Sequence, residues 1–423
     1  MKHTVIIGGG FAGVNLAREL ARSAGHRITL IDKNNYNFFP PLIYQVAAGF
    51  MSPSDISYPF RKLFNRRPNA RFRQGEVRRI DSAECRVYLQ HGGSVDYDLL
   101  VIATGTRPNF FGNQEIERHA YAMKTLGDAL AIRNNILARL EAACALPPAE
   151  RAPYLHFVVA GGGASGVELT GIFAEMRRDI FNKDYPELQG EHSRLTLVTA
   201  DPVLLPMSAS AQRYTAAELH RLGADVICND RVTGYDGHTV RLESGRSIAA
   251  KSLIWTAGVT ARRTDGIPDE CYTRGNRLRT DRQLRVIGLD NVYALGDCAL
   301  VEGERPRLPE RPPPARPSCQ SAGAVPCPRP AVRQRRTLCI QTPGRHGHHR
   351  PPLRRGRLPG GRSSHGILTW AVWVAVHILA LVTFRNRLAA AYNWGIAFLT
   401  RNQTLRMIIR PTPPADAQNG RDG

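Results

Sequence analysis

Val5-Ile6-Ile7-Gly8-Gly9-Gly10-Phe11-Ala12-Gly13 joins an apolar run to a glycine turn and then to a helical pattern. Gly8 permits the tight turn, Gly10 lets a backbone approach a pyrophosphate, and Gly13 lets the helix pack closely on its strand. The helix that opens there turns its free N–H groups and positive end toward the phosphates. The next apolar run ends in Asp32, nineteen residues after Gly13, where a carboxylate can accept hydrogen bonds from ribose hydroxyls. A glycine-rich turn in an unrelated α/β protein is the plain alternative, and the placement of Asp32 argues against it. Val158-Val159-Ala160-Gly161-Gly162-Gly163-Ala164-Ser165-Gly166-Val167-Glu168 repeats the device with Gly161, Gly163 and Gly166. One departure stands out. The run Leu195–Val198 is followed by Thr199 where an acid is expected, with Asp201 two residues later, so the ribose end of the second nucleotide stays open.

The elements that must carry these loops alternate strand and helix. Thr4–Ile7 reads as a strand, followed by a helix through Ala24 and strands Arg27–Ile31 and Leu99–Ala103. The pattern restarts with strand His156–Ala160, helix Val167–Met176 and strand Leu195–Val198, and Asn291–Leu295 reads as a last strand returning to the first unit. Two copies of one unit are an internal repeat. The expectation is an α/β chain of two Rossmann-like dinucleotide-binding domains, then an irregular stretch and C-terminal membrane-associated helices. The first domain is placed at 1–120, completed by 272–302, and the second at 121–271. The irregular stretch is placed at 303–365, a membrane-anchoring helical segment at 366–410 and a tail at 411–423.

A length of 423 residues suits two or three domains. The net charge of +21 taken alone suggests nucleic acid or an anionic membrane. Fourteen arginines against two glutamates lie between Gly303 and Ser363, however, so much of the excess belongs to one stretch. No specific nucleic-acid partner is therefore needed, although an arginine-rich segment binds RNA or DNA non-specifically. The eight cysteines show no CxxC spacing, and Val5 begins a buried strand almost at once, which reads as a reduced compartment without a signal peptide.

Asp98-Leu99-Leu100-Val101-Ile102-Ala103-Thr104-Gly105 and Asn291-Val292-Tyr293-Ala294-Leu295-Gly296-Asp297 resemble two motifs of the two-dinucleotide flavoprotein reductases, in their order. The run from Asp32-Lys33-Asn34-Asn35-Tyr36 through Tyr44-Gln45-Val46-Ala47, with Trp255-Thr256-Ala257-Gly258-Val259, resembles the type II NADH dehydrogenases, which are NADH:quinone oxidoreductases that pump no protons. The resemblance covers Lys2 to about Val301 and resumes from Gly366 to near Arg410. It implies FAD on Gly8, Gly10, Gly13, Asp32, Lys33, Thr104, Gly105, Gly296 and Asp297, with Asp297 near the ribityl chain. It implies NADH or NADPH as co-substrate on Gly161, Gly163, Gly166 and Glu168. For Glu168 two readings stand: a catalytic carboxylate pointing toward the nicotinamide, or an acid favoured by the helix dipole. Hydride would pass from NADH to flavin and electrons on to a membrane quinone. The expected place is the cytoplasmic face of the inner membrane, peripheral or monotopic on the lipid surface, and a homodimer is compatible with the resemblance. Rival readings are an inactive flavin-binding remnant without a quinone site, and a soluble NAD(P)H reductase of another acceptor.

Gly366–Phe384 carries no formal charge and as a helix would extend about 28 Å, just enough to cross a bilayer. The resemblance instead favours helices lying in the interface, where Arg385 and Arg387 suit anionic lipid. The interval Glu304–Ser364 matches nothing in the family. Three readings compete: a natural basic linker, a nucleic-acid or metal-binding insert, or translation in the wrong frame. Moving one base along each codon lets His346–His349 read Met-Ala-Thr-Ile and Leu338–Gln341 read Phe-Val-Tyr-Lys. The same shift lets Gln320–Cys327 read Asn-Gln-Gln-Gly-Arg-Tyr-Leu-Ala, restoring the Gln-Gln-Gly core that the family places on its quinone side. His346, His348 and His349 lack partners at ligand spacing, so no metal site is expected.

Overall fold

The computed structural model describes residues 1–177, 181–191, 193–303, 355–357, 363–365, 367–400 and 407–408. Lys2–Ile7 (β1) ends in four buried residues, as a strand covered on both faces must. Helix α1 (Phe11–Leu20) brings the chain back to β2 (His26–Asp32), parallel to β1 with Ile6 opposite Leu30. Three short helices follow, α2 (Ile43–Ala47), α3 (Pro53–Ile56) and a turn of helix at Phe60–Phe64, before β3 (Ala70–Gln74) extends the sheet beside β2. An antiparallel meander of β4 (Val77–Asp81), β5 (Arg86–Leu89) and β6 (Ser94–Asp96) then leads to β7 (Leu99–Ile102) on the other side of β1. The fifth strand is Val292–Ala294, returning from far along the chain to lie parallel to β7.

The second unit repeats this plan. It comprises β8 (Tyr121–Ala122), α4 (Leu126–Cys144), β9 (His156–Ala160), α5 (Ala164–Met176), β10 (Arg194–Thr199) and β11 (Asp225–Cys228). A second meander, β12 (Val232–Tyr235), β13 (Thr239–Leu242) and β14 (Ser247–Ala249), leads to β15 (Ser252–Trp255). The sheet order β8-β15-β9-β10-β11 matches that of the first unit strand for strand, with β9 in the place of β1. The repeat visible in the two glycine loops thus extends to the whole sheet and to the meander. A short antiparallel pair, Thr106–Pro108 with Val259–Ala261, ties the units together. Ala261, Ile267 and Cys271 pack in one cluster with Val5, Ile7 and Ile102, so the chain re-enters the first core before residue 272, earlier than the sequence suggested.

His156 sits on the central strand β9, only 7% exposed, with its Nε2 bonded to Thr196 Oγ1 at 2.9 Å. Burial, and after it Arg194, pushes its pKa down to about 4. Between about pH 6.5 and 4 the unfolded side chain binds a proton that the folded one refuses, so stability is lost as pH falls through that window. The expected loss from this group alone is about 2 kcal/mol at pH 5 relative to pH 7. His156→Gln keeps a partner for Thr196 without ionising. Urea unfolding at the two pH values is expected to show a smaller acid loss in the variant, and an unchanged loss refutes the assignment.

The C-terminal segment is two helices, α6 (Ile367–Ala380) and α7 (Phe384–Thr400). The bilayer-crossing alternative for Gly366–Phe384 is not realised: α6 ends at Ala380, giving about 21 Å of helix against a hydrocarbon core near 30 Å. No helix among the described residues is long and apolar enough to cross a membrane. Instead Leu381 and Ala390 pack into the core formed by residues 39–56, α4 and α5. The out-of-frame stretch expected over 304–364, with its histidine cluster, lies outside the described residues apart from an antiparallel pair, Arg355–Arg357 with Ser363–His365. The tail 411–423 lies outside them as well.

Candidate active site

Each glycine loop leaves the carboxyl end of a central parallel strand, the place where open α/β sheets bind ligands. Gly8 (φ +101°) and Gly161 (φ +116°) take left-handed turns that a side chain resists. A Cβ on Gly8 would strike the carbonyl of Ala103 at 2.4 Å, and one on Gly161 would strike the backbone of Ala257 at 2.7 Å. Gly13 and Gly166 are held tighter still: a Cβ on either would stand 1.9 Å from the carbonyl oxygen of the loop's first glycine. Gly10 and Gly163 face open space, with no atom within 4 Å of the place a Cβ would take. Both are N-caps that offer no side-chain bond, so the leading N–H groups of α1 and α5 are left for an anion.

The acid of the first loop is in place. Asp32 Oδ2 accepts from Gly9 N at 2.6 Å, and Oδ1 accepts from Asn34 N at 2.7 Å, while burial pushes the carboxyl pKa up against these bonds. Lys33 is exposed, and its charge favours the Asp32 carboxylate. In the second unit Thr199 occupies the equivalent strand end, packed so closely on Gly162 that a Cβ there would meet its Oγ1 at 2.5 Å. Asp201 N lies 3.5 Å from that same hydroxyl on the following turn. Glu168 is the fifth residue of α5 and half-buried, a full turn inside the helix, where the dipole has largely faded.

The remaining sequence-derived residues close the first cradle. Thr104 and Gly105 (φ +65°) follow β7, and Gly296 (φ +76°) follows the return strand, where a Cβ would stand 3.1 Å from that of Ala12 in α1. Gly8, Gly10, Gly13, Asp32, Thr104, Gly105, Gly296 and Asp297 therefore lie at the carboxyl end of the first sheet, whereas Gly161, Gly163, Gly166 and Glu168 lie at that of the second. The buried Thr104 hydroxyl lies against the Cys298 thiol. Two uncapped helix ends and two open glycines fit a pair of dinucleotides.

A family profile for pyridine nucleotide-disulphide oxidoreductases matches residues 2–322. The type II NADH:quinone oxidoreductase Ndh of Mycobacterium tuberculosis is 31% identical over 94% of this chain and 88% of its own. Its NdhA relative from the same organism is 32% identical over 94% and 87%. The chain belongs to the pyridine nucleotide-disulphide oxidoreductase family and, within it, to the type II NADH:quinone oxidoreductases. Among solved structures, NDH2 from Plasmodium falciparum in complex with NADH superposes with a TM-score of 0.81 at 20% identity, over 97% of this chain and all of that one. The sulfide:quinone oxidoreductase of Aquifex aeolicus shares the fold at a TM-score of 0.68 and 19% identity, over 97% and 96%. Despite the family's name, the five cysteines among the described residues are all free thiols, Cys85, Cys144, Cys228, Cys271 and Cys298. A type II NADH:quinone oxidoreductase needs no disulfide, because its cofactors carry the redox chemistry.

Three features of this oxidoreductase escaped the sequence reading. Asn37 Nδ2 donates to Gly9 O at 2.8 Å and braces the loop from beneath. Phe60 fills the space beside Gly9, where a Cβ would meet its ring at 2.1 Å. Lys124, between β8 and α4, sends its Nζ to Thr106 Oγ1 at 2.8 Å and lies close enough to Asp297 for their charges to interact. Asn37 lies within the run that carries the family resemblance, but no role was assigned to it there, and Phe60 and Lys124 stand outside every motif. Only the Thr125–Asp128 capping box, which fixes the Lys124 backbone, is written locally in the sequence.

Proposed function

We propose that the chain holds FAD on the Gly8–Gly13 cradle and NADH on the Gly161–Gly166 cradle, and reduces a quinone at a membrane surface. The observation that carries this reading is the duplicated cradle itself, two open glycine loops on two copies of one parallel sheet. When bound, the flavin supplies hydride acceptance from NADH and electron delivery to quinone. The protein's residues bind and orient. Gly10 and Gly163 admit the pyrophosphates, Asp32 receives ribose hydroxyls, and α2 packs against helices of the second unit so that the units keep one relative placement. Glu168, beside the second cradle, is the candidate for a carboxylate facing the nicotinamide.

The C-terminal helices support the membrane part of the reading. Phe384, Leu388 and Tyr392 recur every four residues along α7 and are 71%, 57% and 67% exposed, whereas Asn386 and Ala390 face inward. Val376 and Leu379 of α6 add to the exposed apolar surface. A helix that turns its aromatic side outward is arranged for an apolar neighbour, and bilayer hydrocarbon suits it. Near its root, burial and then Arg22, Arg387 and Arg67 hold the Arg18 guanidinium below its usual range, a concentration of cations that an anionic headgroup layer would relieve.

The test is purification of the full chain, with flavin content and NADH oxidation measured with and without quinone. About one FAD per chain and NADH oxidation that depends on quinone are expected. No retained flavin, or oxidation indifferent to quinone, overturns the reading. The same assay on a chain with residues 304–364 restored to the shifted frame is expected to give the higher quinone rate. Relatives named for quinone reduction do not favour the inactive-remnant alternative.

A further inference from the structure

We propose that Phe111 is a wall of the nicotinamide subsite, an exposed ring held beside the second cradle by a strained backbone. The proposal rests on the reading that NADH occupies that cradle. Phe111 is 65% exposed, and its backbone is left-handed with φ +54°. Exposure of one apolar residue is common, but a bulky side chain in that backbone region is an outlier, and such strain gathers at ligand clamps. The strain is held from several sides. Phe111 N donates to Asn109 Oδ1 at 2.9 Å. Asn109 is itself fixed, its N–H donating to Gly258 O at 3.0 Å and its carbonyl accepting from Trp255 Nε1 at 2.9 Å. The Phe111 ring stands edge-on to Trp255, with centroids 6.4 Å apart, and covers Gly258 so closely that a Cβ there would meet its Cζ at 2.7 Å.

The surroundings of the ring select the ligand half. Gly258 ends the run Thr256–Gly258, which leaves β15 at the same carboxyl end as the glycine loop leaves β9, since the two strands are parallel with Ala160 opposite Trp255. Run and loop touch directly. A Cβ on Gly161 would strike Ala257 at 2.7 Å, and Thr256 Oγ1 donates to the carbonyls of Ala160 at 2.8 Å and Gly161 at 3.2 Å. Strands β15 and β10 flank β9 on opposite sides. A dinucleotide lies across such a switch point, with its adenosine ribose at the end of the strand that follows the loop, here β10 with Thr199. The nicotinamide half then crosses to the β15 side, where Phe111 stands. The ring also stands between the two units along the chain, six residues after Gly105 and just past the strand Thr106–Pro108 that joins them. An aromatic face in that place stacks on the nicotinamide and keeps water from one side of it.

The structural alternative is a prop for Trp255 that touches no ligand. Two ligands and two substitutions separate the roles. ADP-ribose carries all of the dinucleotide except the nicotinamide, whereas an unreactive tetrahydro analogue of NADH carries the ring without reducing flavin. The Kd of each for the full-length protein is measured by calorimetry. Phe111→Ala is expected to weaken the NADH analogue about tenfold and to leave ADP-ribose within about twofold. Phe111→Tyr keeps the ring and is expected to bind both ligands as the unsubstituted protein does. A loss of ADP-ribose affinity as large as that of the analogue, which a missing prop would give, overturns the proposal, and so does no loss of either. Failure of the underlying NADH reading looks different, because the unsubstituted protein would then bind neither ligand.

Discussion

Gly163→Val is expected to raise the KM for NADH about a hundredfold while leaving the flavin in place, and Gly10→Val to yield a folded protein without flavin. The two positions are chosen because nothing in the protein opposes the added side chain. Gly10 has φ −70° and Gly163 φ −72°, both ordinary for any residue, and neither has an atom within 4 Å of a Cβ. The free space is where the phosphates must approach the helix end, so valine collides with ligand instead of with fold. Thermal stability without nucleotide should therefore remain near that of the unsubstituted protein. Gly13→Ala and Gly166→Ala make the contrast. Their Cβ atoms would stand 1.9 Å from a carbonyl oxygen of the same loop, so helix and strand must part and stability must fall. Measuring flavin content, KM for NADH and melting temperature across the four variants separates the cradles. Flavin loss in Gly163→Val, or an unchanged KM, would sink the assignment of the second loop to NADH.

This division also explains what was legible in the sequence. A glycine whose Cβ would meet its own loop's backbone is a local requirement, satisfied within six residues, and so appears as a motif. The strand after α1 has a similar local end signal in Asp32, which bonds back to Gly9. The second unit shows how far such signals bend. Thr199 replaces the acid, yet the strand, its register beside β9 and its packing on Gly162 persist, because buried apolar residues hold the strand and the terminal side chain does not. The meanders were harder to anticipate, since short half-exposed strands carry weak alternation and their pairing depends on the sheet they cross.

Long-range contacts left the least trace. Lys124 is read correctly only after β7, the return strand and α4 have been brought to one edge. The single apolar run seen from Gly366 to Phe384 is in fact broken after Ala380. A signal for that break was present, because Thr383 accepts from Asn386 N at 3.3 Å as an N-cap does, three residues ahead. Hydropathy alone made the run long enough to offer a crossing helix, the alternative to helices lying in the interface.

Asn386→Ala is expected to detach α7 and, with it, membrane association, while leaving NADH-driven flavin reduction intact. Asn386 is 3% exposed and its Nδ2 faces the carbonyl oxygens of Ser54, Asp55 and Ser57 at 3.1, 2.8 and 3.0 Å. These carbonyls close the short helix α3, where the Ser52–Asp55 capping box already uses the side chains. One amide thus joins residues more than three hundred positions apart. Asn393 adds a bond to the Asp55 carboxylate at 2.8 Å, which also serves Ser52 N. Truncation to alanine leaves buried carbonyls without a donor, a cost of about 1–3 kcal/mol for a group so stranded. That is a large share of what a two-helix appendage with an outward apolar face can gain by docking, so release of α7 is the expected response. Neither cradle draws a residue from α7, so flavin content and its bleaching by NADH should hold. Flotation with liposomes should fall, and reduction of a quinone embedded in them should fall with it, while a water-soluble quinone analogue is still reduced. Equal flotation of Asn386→Ala and the unsubstituted protein would mean that the helix docks without this amide, and that the apolar packing of Leu381 and Ala390 alone secures it.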